Sequence, residues 1–155
     1  MSRAIILDTQ LIVLLAVGRT SREIIKKHKN LTEFEVRDFD LLVRLLGSKP
    51  KLVLLPNTVS ESANLLRQHR EPERGSIMDT FKAVVHTHEE RYIASKMATT
   101  RKEYKRLGVA DAAILECCTD QNEILTADAD LHVTASALGL RSTNFNHKRH
   151  EFGLL

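Results

Sequence analysis

RAIILDTQLIVLLAVG, residues 3–18, is the stretch that decides the architecture of this chain. Arg3–Leu7 is a short, isoleucine-rich apolar run halted by Asp8, which is the pattern of a strand buried on both faces. Gln10–Val17 follows almost at once, too apolar for a surface turn, and reads as a buried helix closed by Gly18. A buried strand running straight into a buried helix is the opening half of a parallel β-α-β unit.

The same unit recurs further along. Lys51–Leu55 reads as a second buried strand ended by Pro56, with Asn57 or Thr58 capping a helix to about Arg70. Glu123–Leu125 reads as a third strand, followed by a helix over Ala129–Leu138 that Gly139 ends, and Leu140–Thr143 as a fourth. The tetrads Thr20–Glu23 and Thr32–Glu35 fit capping boxes, so helices are expected near Ser21 and Glu33. The second carries Phe34, Phe39, Leu42, Leu45 and Leu46 at helical spacing and stops at Gly47. Glu71–Pro72 breaks the chain. Ile77–Glu90 and Ala94–Arg106 then read as helices, expected to form a hairpin beside the sheet, and Ala110–Thr119 as a largely apolar helix after Gly108. Strands separated by helices imply parallel pairing with helices on both faces. The expected fold is therefore an α/β/α three-layer sandwich around a parallel sheet of four to five strands, as one domain over residues 1–155.

Composition agrees. Hydrophobic residues make up 43% of 155, and no low-complexity tract is present. The two cysteines, Cys117 and Cys118, are adjacent and match neither a disulfide framework nor a zinc knuckle. A reducing, cytoplasmic setting is expected on that ground. No apolar run approaches the roughly 20 residues a membrane span needs, and no signal peptide is visible, so no membrane association is expected. The formal charge is +3. Between Arg91 and Arg106 six Lys or Arg stand against one acid, Glu103. Such a run is either a solvated helix face or a contact for a phosphate backbone, with Arg101, Lys102 and Lys105 as candidate RNA-binding residues. The basic segment Asn146–His150 offers the same choice between an RNA contact and a solvated tail.

Four acids fall at related places in this order. Asp8 follows the first strand directly, Glu61 lies early in the helix after the second, Asp111 opens the apolar helix past Gly108, and Asp128 follows the third strand by two residues. In open α/β sheets, sites form beyond the carboxyl ends of the strands. Each acid also has a structural reading: Asp8 and Asp128 as helix caps, Thr58–Glu61 as a capping box, Asp111 as a first-turn acid favoured by the helix dipole. As a set, carboxylates gathered in an apolar cleft repel one another and resist desolvation unless a cation neutralises them. Hard oxygen ligands of this kind suit Mg²⁺ or Mn²⁺, which can activate water for attack on phosphorus. Asp130 is a further candidate, as an outer ligand or as a first-turn helix acid.

At this level the chain resembles a known family. The blocks IILDTQLIVLL, LLPNTVSESANLL, LGVADAAILECC and ILTADADLHVTASALGL resemble, in order, the acidic blocks of PIN-domain ribonucleases, while the stretch from Gly75 to Lys105 is not diagnostic. The resemblance implies that Asp8, Glu61, Asp111 and Asp128 are the catalytic, metal-binding acids and that Thr126 supports the last of them. Many members carry Asn or Ser two positions after the first acid, where this chain has Gln10, whose amide can still hydrogen-bond toward the site. Small PIN domains of this size are most often VapC-like toxins of bacterial toxin–antitoxin pairs. RNA as substrate, a cognate antitoxin protein and a homodimer are implied on that basis. A dehalogenase-like phosphatase is excluded, because it needs an aspartate where Gln10 stands. His86, His88, His147 and His150 form no ligand motif and read as surface residues. The alternative from another class is a PIN-like domain that binds RNA or protein with little or no cleavage, although single-strand binders usually show stacking aromatics and only five Phe and two Tyr occur here.

Overall fold

The computed structural model describes residues 3–155. The elements run β1 (Ala4–Leu7), α1 (Thr9–Thr20), two 3₁₀ turns (Arg22–Lys27 and Lys29–Leu31), α2 (Val36–Leu46), β2 (Leu52–Leu54), α3 (Pro56–Leu66), α4 (Glu73–Thr87), β3 (Glu89–Glu90), α5 (Ser95–Thr100), α6 (Tyr104–Leu107), α7 (Val109–Cys117), β4 (Asn122–Thr126), α8 (Ala129–Ala137), β5 (Ser142–Asn144) and α9 (Phe145–Glu151). The five strands form one sheet in the order β3-β2-β1-β4-β5, and every pairing is parallel.

Successive side chains along a strand point to opposite faces, and here both faces are dry. Ile5, Leu7, Leu52, Leu54 and Leu125 enter one core with α1, α2, Leu66, Ile77, Phe81 and Phe145. Ile6, Val53 and Ile124 enter a second core with Ala98, the apolar residues of α7, Leu131 and Ala135. This explains why β1 and β2 read as unbroken apolar runs rather than alternating ones. The protein is thus an α/β sandwich in which helices cover both faces of a parallel sheet.

The expected hairpin over residues 77–106 does not form. A two-residue strand, β3, intervenes, pairing Val53 with Glu89 and Leu54 with Glu90. It places α4 against one face and α5 against the other. Two glutamates carry no apolar signature, and charge on an edge strand discourages pairing with other chains. The helix expected over 94–106 is split because Arg101 leaves helical geometry at ψ 142°. Its guanidinium turns to bond Glu103, buried at 6% exposure, at 3.0 Å and Glu116 at 2.8 Å.

Other boundaries shift for similar reasons. Gly18 does not end α1 but lies inside it, since the Phe39 ring occupies the space a Cβ would need. No α-helix starts at Ser21: Thr20 closes α1 by bonding the Ala16 carbonyl at 2.8 Å, and a 3₁₀ turn follows. The second capping box is Glu35 with Asp38, not Thr32 with Glu35, so α2 starts at Val36. Asp38 is fixed there by Arg149, whose Nε donates at 2.8 Å, with the two side chains 2% and 7% exposed. Residues 146–150 are consequently a packed helix rather than a solvated tail, with Phe145 and Arg149 buried. Cys117 and Cys118 are free thiols. Among the described residues no helix is long and apolar enough to cross a membrane.

Removing one member of a buried ion pair leaves the other charge unpaired, at a cost of about 3–5 kcal/mol. Asp38→Ala should therefore lower unfolding stability by that order in urea titration. Asp40→Ala, which breaks the exposed Arg22–Asp40 pair, should change it by less than about 1 kcal/mol. Comparable losses for the two variants would contradict the buried pair's role.

Candidate active site

The sheet reverses its direction of growth between β1 and β4, since β2 and β3 add on one side and β5 on the other. The crevice beyond the strand ends opens at such a reversal. A cleft of about 420 Å³ lies there, lined by Asp8, Gln10, Glu61, Asp111 and Asp128 among others. The four acids expected from the sequence thus share one opening, together with Gln10.

Asp8 is the buried member, 6% exposed. It caps α1, with Oδ1 accepting from the Leu11 N–H at 3.4 Å. Its Oδ2 accepts from the Thr126 hydroxyl and from the Ala127 N–H at 3.2 Å. Thr126 Oγ1 in turn accepts from the Asp128 N–H at 2.9 Å. One threonine side chain therefore ties the first acid to the backbone of the last. Burial pushes the Asp8 carboxyl up from 3.8 to about 6, against the lowering effect of those three hydrogen bonds.

Asp111 is half-buried in the first turn of α7, whose N-cap is Gly108 at φ 92°, a conformation that favours glycine. Burial first, then the charges of Asp128, Asp8 and Glu61, push it from 3.8 to about 7. Every one of those influences raises it. The four acids are close enough to be felt by one another, and Asp111 carries the largest consequence.

Glu61 sits in the second turn of α3, further in than the sequence suggests, because Pro56 rather than Thr58 opens the helix. The expected Thr58–Glu61 capping box is absent: the Thr58 hydroxyl bonds the Leu55 carbonyl, and Glu61 instead accepts from the Thr9 hydroxyl at 2.6 Å. Glu61 therefore has no capping duty. Asp128 does, since its Oδ1 accepts from the Asp130 and Leu131 N–H groups. Asp130 is exposed, contributes its backbone N–H to that cap and does not line the cleft. Arg101, Lys102 and Lys105 do not line it either, and Arg101 is engaged with Glu103 and Glu116.

Two contributors escaped the sequence reading. Thr9, next to Asp8, could have been found, since the first helical residue after a strand-end acid must face the same opening. Glu33 also lines the cleft. Nothing in its local sequence marks it, because the packing of α2 and α9 carries it there. Asn146 supports the rim by donating to the Ala127 carbonyl at 3.2 Å.

The donor set suits a hard divalent cation. All the acids are oxygen donors, and two of them hold protons abnormally high, chiefly because burial disfavours the charged form. Gln10 lines the cleft, and its Oε1 is buried with no hydrogen-bond partner among the described residues. Among the described residues no three His, Cys, Asp or Glu side chains converge tightly enough to hold an ion between them. The carboxylates line an open cleft.

No family model, curated protein or solved structure matches the chain.

The folded chain holds protons on Asp8 and Asp111 that the unfolded chain releases near 3.8. Stability should therefore fall as pH rises from about 4 to about 7, with the full deficit present above the folded value. Asp111→Asn should remove part of that deficit. It should exceed wild type at pH 7.5 by on the order of 2 kcal/mol, discounted for partial exposure, and the gain should vanish near pH 4. Urea midpoints of both proteins across this range, in the presence of chelator, test it. A pH-independent difference would contradict the raised carboxyl.

Proposed function

We propose that this protein is a metal-dependent endoribonuclease of the PIN-like kind, with Mg²⁺ or Mn²⁺ held by Asp8, Glu61, Asp111 and Asp128. The observation that carries this reading is Asp111, pushed to about 7 by burial and by its three neighbouring acids. A divalent cation would stabilise a cluster so unfavourable to its own fold, and helix capping accounts for only part of it. Of the four, only Asp8 and Asp128 cap helices through their side chains.

When bound, such an ion supplies a water of lowered pKa and charge stabilisation for the leaving oxygen of a phosphodiester. The residues of the chain have distinct parts in this scheme. Asp8 is the fixed ligand, immobilised by the Thr126 hydroxyl and the Ala127 and Leu11 N–H groups. Asp111 must lose its proton to bind an ion, so binding and proton release are coupled near neutral pH. Glu61, exposed and held by Thr9, is the acid with most freedom to contact a water or the substrate. Gln10 lines the same cleft, and its buried amide oxygen has no partner among the described residues.

Size and resemblance extend the proposal to a toxin of a toxin–antitoxin pair, acting on RNA in the cytoplasm as a homodimer and neutralised by a cognate antitoxin. A second reading, a PIN-like module that binds RNA or protein with little cleavage, is favoured by the absence of a converged ligand cage among the described residues.

Two measurements separate these readings. Labelled RNA incubated with the protein and Mg²⁺ or Mn²⁺ should be cut. Chelator should abolish cutting, and Asp8→Asn and Asp111→Asn should each slow it by more than about 100-fold, the scale of losing one preorganised electrostatic stabiliser. Cutting that survives chelator, or variants as fast as wild type, would refute the nuclease reading. Independently, Mn²⁺ at about 100 times its Kd should raise stability by about 2.7 kcal/mol in wild type, and Asp8→Asn should lose that gain. No metal-dependent shift would favour the binding module.

A further inference from the structure

The acid cleft does not end at Glu61. A second furrow of about 350 Å³ shares Glu61, Val109 and Ala110 with it and continues between the first turns of α3 and α7. Its α3 wall is made by Asn57, Ser60, Glu61 and Asn64. These positions recur at the three- and four-residue spacing of a single helical face. From Asn57 to Asn64 the row spans roughly 10 Å along the helix axis, at 1.5 Å per residue. That length matches two to three nucleotides of a stacked strand at roughly 3.4 Å each.

Apart from Glu61, this wall is made of neutral polar side chains and Pro56. Ser60 and Asn64 are exposed and Asn57 is half-buried. The side-chain hydrogen bonds that fasten α3 locally involve other residues, Thr58 to the Leu55 carbonyl and Thr9 to Glu61. The furrow has no Lys or Arg among its described lining residues, and Glu61 is its one charged group. A wall of this kind has nothing to offer a phosphate through charge. It presents amides and a hydroxyl, whose paired donors and acceptors match the edges of bases, as Asn does with adenine. The opposite wall, Val109 and Ala110, is apolar and suits a base face.

We infer that the Asn57–Ser60–Asn64 row of α3 is the base-reading wall of the substrate groove, where two to three unpaired bases of a single-stranded RNA are recognised beside the scissile phosphate. The inference rests on the ribonuclease reading of the adjoining cleft. It locates sequence preference on α3, in neutral side chains, and not on the basic surface at residues 91–106. Unpaired bases are what such a groove can read, which makes single strands or loops the substrate rather than duplex RNA.

Binding can be measured apart from cleavage. Fluorescein-labelled RNA decamers of A, U, C and mixed sequence are titrated by anisotropy against the full-length Asp8→Asn protein, alone and with Asn57→Ala or Asn64→Ala added. The preferred decamer should lose affinity by about 10-fold with each amide removed, and the spread among sequences should flatten. The slope of log affinity against log salt should stay unchanged, because no phosphate contact has been lost. Asn64 is exposed and Asn57 only half-buried, so urea midpoints should stay close to those of the parent protein and so exclude misfolding. Undiminished preference, or a reduced salt slope, would overturn the inference while leaving the nuclease reading intact. Absence of binding to every decamer would overturn it as well. The nuclease reading itself falls only if metal-dependent cleavage by the wild type fails.

Discussion

The hydrogen bond from the Thr126 hydroxyl to the Asp8 carboxylate joins the ends of the two central strands. β1 and β4 pair in register from Ala4–Asn122 to Leu7–Leu125, and this contact closes the ladder at the point where α1 and α8 depart. It satisfies a buried acid that would otherwise be costly to desolvate. Because Thr126 also accepts from the Asp128 N–H, the same side chain sets the position of the second strand-end acid. Asp8, Asp128 and the two helix starts that they cap are arranged around this single threonine.

Stability and function pull against each other at this point. Asp8 and Asp128 serve as N-caps, which stabilise helices by about 1 kcal/mol each. Asp111 does not cap, and Glu61 is tied only to Thr9. Asp111 lies in the first turn of α7, where the helix dipole favours an acid, but neither it nor Glu61 is a side-chain cap. The carboxyls of Asp8 and Asp111 are raised chiefly by burial, with the neighbouring acids adding to the shift. Strongly perturbed carboxyls in a cleft at the strand ends are a physical mark of a functional site.

Charge elsewhere is used for architecture. Arg101 and Arg149, both in segments that look basic and free in the sequence, are each committed to carboxylates: Arg101 to Glu103 and Glu116, Arg149 to Asp38. The first pairing breaks a helix and redirects the chain toward Gly108 and Asp111. The second anchors α9 to the start of α2, beside the cleft wall that includes Glu33. A run of cations in sequence is therefore a poor guide to a nucleic-acid surface until their partners are known.

The sequence by itself determined the parallel α/β sandwich, the strands β1, β2, β4 and β5 and the placing of the four acids past the strand ends. It could do so because strands buried on both faces are written as unbroken apolar runs, and a strand-end acid is adjacent to its strand in the chain. Tertiary structure alone decided the rest. β3 is two glutamates whose only strand signal is their pairing with Val53 and Leu54. Gly18 lies inside α1, and Phe39, distant in sequence, occupies the space that a Cβ there would need. Glu33 joins the cleft, and Asn57, Ser60 and Asn64 become one wall, through packing between segments far apart in the chain. Periodicity and capping report only on a residue's nearest neighbours along the chain, whereas these positions are set by contacts across it.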